Sequence, residues 1–174
     1  MKKSIHILMA AVLAASAVVS GCAGKSGAKG EEDKPLVVAM ELTYPPFETK
    51  DEKGNPTGVS VDFMKAFGES IGREVRIENT AWDGLIPSLQ TGKADMVMSS
   101  MTITEERAKT VDFSDAYANA MLAVLTNKDS GITSVEDLNQ PGMKVAVKTG
   151  STGYIYANSN LSNAEIIALP ASPR

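Results

Sequence analysis

Histidine and cysteine are almost absent from this chain of 174 residues. The single histidine is His6 and the single cysteine is Cys22, so both lie in the N-terminal segment. The rest of the chain therefore cannot form a Ser-His or Cys-His nucleophile pair, a histidine-ligated metal site or an internal disulfide. These absences narrow the enzyme classes considerably, and nothing in the sequence indicates a metal ion or another cofactor.

Basic residues are fewer than acidic ones, 17 against 21, and the formal net charge is −4 at pH 7. Loss of Lys2 and Lys3 with an N-terminal signal would lower this charge by two, to −6. A negative charge of this size argues against nucleic acid as a partner. No apolar run after the first 21 residues approaches the ~20 residues that a membrane-spanning helix needs, so we expect the remainder to be soluble.

Residues 1–21 have the organisation of a secretory signal. Lys2 and Lys3 form a short positive region, and residues 5–19 are almost wholly apolar,. The sequence Val-Ser-Gly-Cys at 19–22 resembles the lipobox of bacterial lipoproteins, which implies lipid attachment at Cys22. The alternative is an ordinary signal followed by a chance cysteine. The Gly- and Lys-rich residues that follow lack apolar periodicity, so we expect residues 22–35 to be a lipidated N-terminus and a flexible tether.

Apolar periodicity predicts alternating strands and helices from Leu36 onward. Short apolar or alternating runs predict strands at residues 36–40, 75–77 and 96–98,. Helices are predicted between them, at residues 59–71 and 85–89, each followed by a glycine. This order favours right-handed βαβ units and a parallel sheet.

The second half of the chain shows weaker patterns. We expect a strand at residues 119–127, a helical turn at 134–138, and strands at 144–148 and 166–169,. Between the last two strands lies a polar glycine loop, and a helix is predicted to begin near Tyr154. Earlier, Thr102 and Glu105 have the spacing of a capping box, which predicts a short helix capped by Thr102.

Residues 82–117 are the most informative run. A helical stretch leads into a short buried strand, which opens into a hydroxyl-rich loop that ends on one arginine, Arg107. Such an arrangement sets donors and acceptors at the carboxyl edge of a strand, where α/β folds bind small ligands. The run resembles the family 3 solute-binding proteins, the extracytoplasmic receptors of polar amino-acid ABC importers. The resemblance extends from Leu36 to Pro170.

The resemblance implies a fold of the periplasmic-binding-protein type II class, with two α/β lobes that close on a ligand. Residues 36–120 would form the first lobe and residues 121–174 part of the second. The family's return to the first lobe is missing, so we expect a C-terminally truncated chain with an incomplete second lobe. The aspartate that binds the ligand ammonium in the family also lies beyond the matched part, and we therefore expect weak or no binding by this chain as it stands.

The resemblance assigns the carboxylate of a free amino acid to Arg107, because a guanidinium group matches a carboxylate with two hydrogen bonds. From spacing alone, Arg107 is more typical of a solvated helical turn, and the match to the family's loop pattern reverses this preference. The family's loop pattern corresponds here to Ser99, Ser100, Met101 and Thr102. In that pattern the Ser100 carbonyl group and the Thr102 hydroxyl group accept from the ligand ammonium, and the Thr102 N–H group assists Arg107.

The expected second-lobe contribution is the turn formed by Gly150, Ser151 and Thr152. It precedes a predicted helix, whose free N–H groups favour an anion. The motif is weak by itself, since any strand-to-helix turn is similar, but its position matches the family's second carboxylate clamp.

Around the ligand side chain the resemblance implies aromatic walls from Tyr44, Phe47 and Trp82. Ordinary core packing is the alternative for each, most of all for Phe47. Glu41 ends the first strand, at a position where the family often has an acid that faces a basic ligand side chain. A structural or solvated role for Glu41 is equally compatible with the sequence.

The leading functional hypothesis is a lipid-anchored extracytoplasmic receptor that passes an amino acid to an ABC permease. An enzyme of the dehydratase type on the same fold is an alternative, with carboxylates such as Glu41 or Asp83 as the catalytic groups. A sensory module and a non-functional fragment are two further hypotheses.

Overall fold

The computed structural model describes residues 34–170. The predicted signal segment, the predicted lipid attachment at Cys22, most of the predicted tether and residues 171–174 lie outside this range. Within it, no helix is long and apolar enough to cross a membrane.

The described residues form two sheet-containing lobes and a small hairpin. In chain order the elements are β1 (Leu36–Met40), β2 (Thr49–Lys50), β3 (Pro56–Thr57), α1 (Val59–Ser70), β4 (Val75–Asn79), α2 (Leu85–Gln90), β5 (Met96–Val97), α3 (Glu105–Ala108), β6 (Lys144–Lys148), α4 (Thr152–Asn160) and β7 (Glu165–Leu169). Short 3-10 turns lie at Trp82–Gly84 and Glu136–Leu138.

The first lobe is built on a three-stranded parallel sheet with the order β4-β1-β5. Val38, in the centre of β1, pairs with Ile77 of β4 on one side and with Met96 of β5 on the other. The strands and helices predicted for this half of the chain are confirmed, and so is their parallel arrangement.

Both faces of β1 are covered, because successive side chains of a strand point to opposite faces. Leu36, Val38 and Met40 join Val61 and Met64 of α1 in one buried cluster. Ala39 lies on the other face and packs with Leu85 of α2 and with Ala94. The apolar run at residues 36–40 is therefore a central strand between two helices, which explains why it lacks polar alternation.

Gly58 joins the hairpin of β2 and β3 to α1 and brings the start of α1 against the loop after β1. Its φ angle is +119°, and a Cβ atom there would lie 2.3 Å from the carbonyl oxygen of Phe47. The backbone N–H of Ser60 donates to that same carbonyl oxygen at 2.8 Å. Only glycine allows this approach, which sets residues 44–48 beside the first turn of α1.

The second lobe contains a two-stranded parallel sheet of β6 and β7, joined by α4. Its buried cluster consists of Leu138, Ala157 and Leu161. The strands predicted at residues 144–148 and 166–169 are confirmed, and α4 begins two residues before Tyr154.

The strand predicted at residues 119–127 is wrong, because this segment has no regular secondary structure. Met121 and Leu125 are 96% and 100% exposed, so they bury no apolar surface against a neighbouring strand. An apolar run becomes a strand only where another strand accepts its backbone hydrogen bonds, and the local sequence does not supply that strand.

Candidate functional site

The carboxyl ends of β1 and β5, parallel strands of the first lobe, and the carboxyl end of β6 of the second lobe meet between the two lobes. β1 is followed by Glu41, β5 by the loop that leads to Arg107, and β6 by the turn that contains Gly150. The residues after β1 and β5 emerge at the same edge of the first sheet, which is the edge at which α/β folds hold ligands,.

Arg107 connects the two lobes. It is only 8% exposed, and its Nη1 atom donates to the carbonyl oxygen of Thr102 at 2.6 Å. Its Nη2 atom donates to the carbonyl oxygen of Gly150, across the gap, at 2.9 Å. Burial lowers the pKa of Arg107 from its ordinary value, but an arginine side chain stays charged in proteins. The site therefore contains a fixed, largely buried cation whose orientation depends on the backbone of both lobes.

Arg107 projects from α3, and Thr104 caps this helix instead of Thr102. The Thr104 hydroxyl group accepts from the Arg107 backbone N–H at 3.2 Å, and Thr104 has the extended backbone of an N-cap residue,. The predicted cap at Thr102 is wrong because the helix begins at Glu105, too far along the chain for Thr102 to be the residue before it. Thr102 is exposed, and its carbonyl group is the one that holds Arg107.

Trp82 lies under two cations. The guanidinium carbon of Arg107 is 5.5 Å from the centroid of the indole ring, and Nζ of Lys148 is 4.6 Å from it. Gly150 also approaches this ring, since a Cβ atom at Gly150 would lie 3.5 Å from Trp82 Nε1. The φ angle of Gly150 is +70°, so the turn itself favours glycine, whereas the ring would leave room for a Cβ atom in ordinary van der Waals contact,. An aromatic face that accommodates cations is suited to a charged or polar ligand.

Glu41 forms an ion pair with Lys148 of the second lobe. The side chain of Glu41 is 10% exposed and that of Lys148 is 36% exposed. The backbone N–H of Glu41 donates to the Ser99 hydroxyl oxygen at 2.8 Å, which ties the end of β1 to the loop after β5. Glu41, whose position in the family often carries an acid that faces a basic ligand side chain, thus faces a lysine of the same chain.

Lys148 was missed by the sequence analysis, which treated it only as the last residue of a strand. A signal was available: Lys148 immediately precedes the glycine turn, as Glu41 immediately follows β1. Charged residues at the carboxyl ends of strands in both sheets form one set, and Glu41 and Lys148 are its two oppositely charged members.

Ser100 has a φ angle of +49°, in the left-handed region that non-glycine residues rarely adopt,. This conformation costs an L-residue roughly 1–2 kcal/mol, so the surrounding contacts must hold it. Its hydroxyl group donates to Oε2 of Glu48 at 3.1 Å. The next residue, Met101, packs with Trp82 against the cluster of Ala39 and Leu85.

Glu48 was also missed, because nothing in the sequence of the loop after β1 indicates that this acid is buried. Its side chain is fully buried, and its Oε2 atom accepts from the Ser60 hydroxyl group at 2.6 Å as well as from Ser100. Burial is the largest cause of a raised pKa at Glu48, and the charge of Glu41 raises it further. Hydrogen bonds from the two serines oppose this shift without cancelling it.

Tyr44 and Phe47 stack on each other in the loop after β1, with ring centroids 5.9 Å apart and an interplanar angle of 17°. Tyr44 is 51% exposed, whereas Phe47 is less exposed and partly buried. The structure thus pairs two of the three predicted aromatic residues with each other, and it pairs Trp82 with Arg107 and Lys148.

Ser151 caps α4, whose first residue is Thr152. The Ser151 hydroxyl group accepts from the Tyr154 backbone N–H at 3.2 Å and donates to the Lys148 carbonyl oxygen at 2.8 Å. The free N–H groups of the first turn of α4 therefore follow directly after the Gly150 carbonyl group that Arg107 binds. A guanidinium group beside the start of a nine-residue helix is an arrangement that favours a carboxylate,.

Known proteins with this sequence pattern bind small solutes. Residues 36–166 match the bacterial extracellular solute-binding proteins, family 3. A probable histidine-binding protein of Neisseria gonorrhoeae is 38% identical over 160 residues, which covers 89% of this chain and 59% of that protein. The arginine-binding extracellular protein ArtP of Bacillus subtilis is 36% identical over 151 residues, which covers 87% of this chain and 57% of that protein.

Solved structures agree with the predicted fold. The crystal structure of the ancestral amino acid-binding protein AncCDT-1, a precursor of cyclohexadienyl dehydratase, is 47% identical, with a TM-score of 0.73. The likeness covers 78% of this chain and 60% of that one. The predicted type II periplasmic-binding-protein class is therefore confirmed, and the chain spans about three fifths of the length of the relatives it matches. It belongs to the bacterial extracellular solute-binding proteins, family 3.

Proposed function

We propose that this chain is the ligand-binding part of an extracytoplasmic receptor that captures a free polar L-amino acid for an ABC importer. The observation that carries the proposal is the position of Arg107, a buried cation hydrogen-bonded to backbone groups of both lobes. A buried charge is costly unless it is paired, so a largely desolvated guanidinium group whose hydrogen-bond partners among residues 34–170 are neutral carbonyl groups favours an anionic ligand group,.

The α-carboxylate of the amino acid would bind Arg107 and the N–H groups at the start of α4. A guanidinium group has five N–H donors, and the two carbonyl groups of Thr102 and Gly150 occupy two of them,. The α-ammonium would bind acceptors of the first lobe, the Ser100 carbonyl group and the Thr102 hydroxyl group. Because Arg107 reaches groups in both lobes, the ligand would close the gap between them as it binds.

The ligand side chain would meet Trp82, Glu41 and Lys148. A neutral polar side chain can donate to Glu41 and accept from Lys148 while this ion pair remains intact,. A basic side chain must displace Lys148 from both Glu41 and the face of Trp82. The site therefore suits polar amino acids in general, and it suits basic ones to the extent that Lys148 moves away.

Delivery would follow from anchoring at the membrane. We propose that the signal segment directs export, that Cys22 carries the lipid, and that the permease takes the amino acid from the closed lobes. Two acyl chains would be enough for stable anchoring, since each buried CH₂ group contributes roughly 0.8 kcal/mol.

Trp82 provides a direct test, because it is the only tryptophan of the chain and lies in the candidate site. The full chain in detergent is titrated with the twenty amino acids while tryptophan fluorescence is recorded. We expect a saturable but weak change with one or more polar amino acids. Arg107→Ala should weaken that binding by about a hundredfold, since it removes a charged partner from a buried carboxylate.

The matched control is Arg76→Ala, which removes an exposed arginine paired with Glu78 on β4. It should leave the affinity unchanged. Binding that survives Arg107→Ala would contradict the site, and the lack of binding to any amino acid would favour a non-functional fragment.

A dehydratase is the second candidate, because one solved relative is described as a precursor of cyclohexadienyl dehydratase. Its chemistry would need an accessible acid. Among residues 34–170 the carboxyl group with a raised pKa belongs to Glu48, which is fully buried. A steady-state assay with prephenate-like acids separates the two functions, since turnover would favour the enzyme.

A further inference from the structure

Glu48 occupies an unusual position for an acid. Its backbone closes the aromatic loop after β1, where the Tyr44 N–H donates to the Glu48 carbonyl oxygen at 2.7 Å and the Glu48 N–H donates to the Tyr44 carbonyl oxygen at 3.0 Å. The side chain then turns inward and is 0% exposed. Burial of an acid is unfavourable compared with an apolar residue of similar size, so packing alone does not account for this choice.

The carboxyl group joins two parts of the first lobe that are distant in sequence. Oε2 accepts from Ser60, in the first turn of α1, and from Ser100, in the loop after β5. Oε1 is buried and has no hydrogen-bond partner among the described residues. The group therefore keeps one oxygen unsatisfied while the other accepts hydrogen bonds from two buried or half-buried hydroxyl groups.

The hydrogen bond to Glu48 constrains the conformation of Ser100. Its neighbour Ser99 is held by the backbone of Glu41, and its neighbour Met101 is packed in the core. Between these two fixed neighbours Ser100 takes its left-handed conformation. Its hydroxyl group donates a hydrogen bond to Glu48. The direction of the Ser100 carbonyl group depends on this conformation.

We propose that Glu48 is a positioning residue for the amino-acid site: its carboxyl group, placed by the backbone hydrogen bonds between Glu48 and Tyr44, holds Ser100 in the left-handed conformation that directs its carbonyl group at the ligand ammonium. This inference rests on the proposed function for the role of that carbonyl group. It does not require contact between Glu48 and the ligand.

Two serine variants test the proposal, since each removes one hydroxyl group from the same oxygen of Glu48. Ser100→Ala should weaken amino-acid binding in the Trp82 titration by roughly tenfold, because it releases the loop. Ser60→Ala removes the shorter of the two bonds, at the first turn of α1. It leaves the bond from Ser100 in place and should therefore change affinity by less than about twofold. Equal losses in the two variants would overturn the proposal, because they would indicate a purely structural carboxyl group.

Glu48→Gln is the conservative variant, because its amide oxygen can still accept from both serines. We expect affinity within about twofold of the unchanged chain. A loss as large as that of Ser100→Ala would show that the negative charge matters instead of the hydrogen bond, and the positioning role would be wrong.

Backbone NMR shifts of the full chain supply a readout that needs no ligand. The Cα and Cβ shifts at position 100 should report a left-handed residue in the unchanged chain and in Ser60→Ala, and should leave that range in Ser100→Ala. If no amino acid binds to the unchanged chain, the proposed function fails, and these shifts alone decide whether Glu48 positions Ser100. Left-handed shifts retained in Ser100→Ala would overturn the inference.

Discussion

The two lobes differ in how much apolar surface each of them buries in its own core. In the first, β1 is covered on both faces, and Val38, Met40, Val61 and Met64 are almost completely buried. In the second, the described sheet has two strands, and the buried cluster is Leu138, Ala157 and Leu161. Since hydrophobic stabilisation scales with the apolar area removed from water, the first lobe is the more stable support.

This difference shows where the candidate site obtains its rigidity. Arg107, Trp82, Ser100 and Glu41 all belong to the first lobe, and they are held by its core or by hydrogen bonds to it. The second lobe contributes Lys148 and Gly150, whose contacts to the first lobe are an ion pair and a hydrogen bond. The weaker lobe is thus positioned in part by the same polar groups that a ligand would use.

The largest effect should come from the core of the first lobe. Met64→Ala removes a fully buried side chain between α1 and β1 and should lower the free energy of unfolding by about 2–5 kcal/mol,. Met121→Ala is the matched control, because the same atoms are removed from a residue that is 96% exposed, and its effect should stay within about 0.5 kcal/mol,. Chemical denaturation measures both, and similar values would contradict the assigned core.

A smaller and more local effect is expected in the second lobe. Leu138→Ala should destabilise the packing of α4 on β6 by about 2 kcal/mol, at the low end for such changes because a small cluster can collapse around the cavity,. Hydrogen exchange should then accelerate at the β6 and β7 amides and remain slow in β1. Equal acceleration in both sheets would show that the two lobes unfold as one unit.

The contact between the lobes should affect specificity. Lys148→Met removes the cation that pairs with Glu41 and frees the face of Trp82. The affinity for arginine relative to glutamine should rise about tenfold, which corresponds to ~1.4 kcal/mol. Lys144→Met is the control on the same strand, because its pair with Glu165 is exposed on both sides, and it should leave this ratio unchanged,. An unchanged ratio in Lys148→Met would show that Lys148 does not influence which amino acid is bound.

The smallest effect concerns the pH dependence of stability. Because the pKa of Glu48 is raised in the folded chain, its contribution is fully present below the ordinary pKa of 4.5 and is lost as pH rises through the folded-state value,. Glu48→Gln has no such titration. The stability of the unchanged chain relative to Glu48→Gln should therefore decrease from acid to neutral pH in thermal melts, and an increase would contradict the raised pKa.

Much of the fold could be predicted from local patterns. The alternation of apolar runs and helical periods correctly located β1, α1, β4, α2, β6 and β7 because apolar residues of each element lie in a buried cluster or pack against one,. The failure at residues 119–127 has the opposite cause. That run has the composition of a strand, but a strand also requires a neighbour, and none lies beside it among the described residues,.

The candidate site was predictable only in part. The hydroxyl-rich loop and Arg107 indicated an amino-acid site through the family pattern, and their role stays a prediction. Thr104 took the cap expected at Thr102 because α3 begins at Glu105, although Thr102 is the one of the two threonines that has a glutamate three residues later,. Glu48 could not be selected locally, since Ser100 is 52 residues away in sequence. Lys148 could be suspected from its place at the end of a strand, but its partner Glu41 is 107 residues away.

The sequence by itself determined the order of strands and helices, the family and the absence of histidine chemistry beyond His6, because these depend on residue types and short-range periods. The tertiary structure alone decided that one arginine bridges both lobes, that Glu41 meets Lys148 over Trp82, and that a buried Glu48 holds Ser100. Burial and charge pairing arise between elements that are distant along the chain, and no local pattern of residues encodes them.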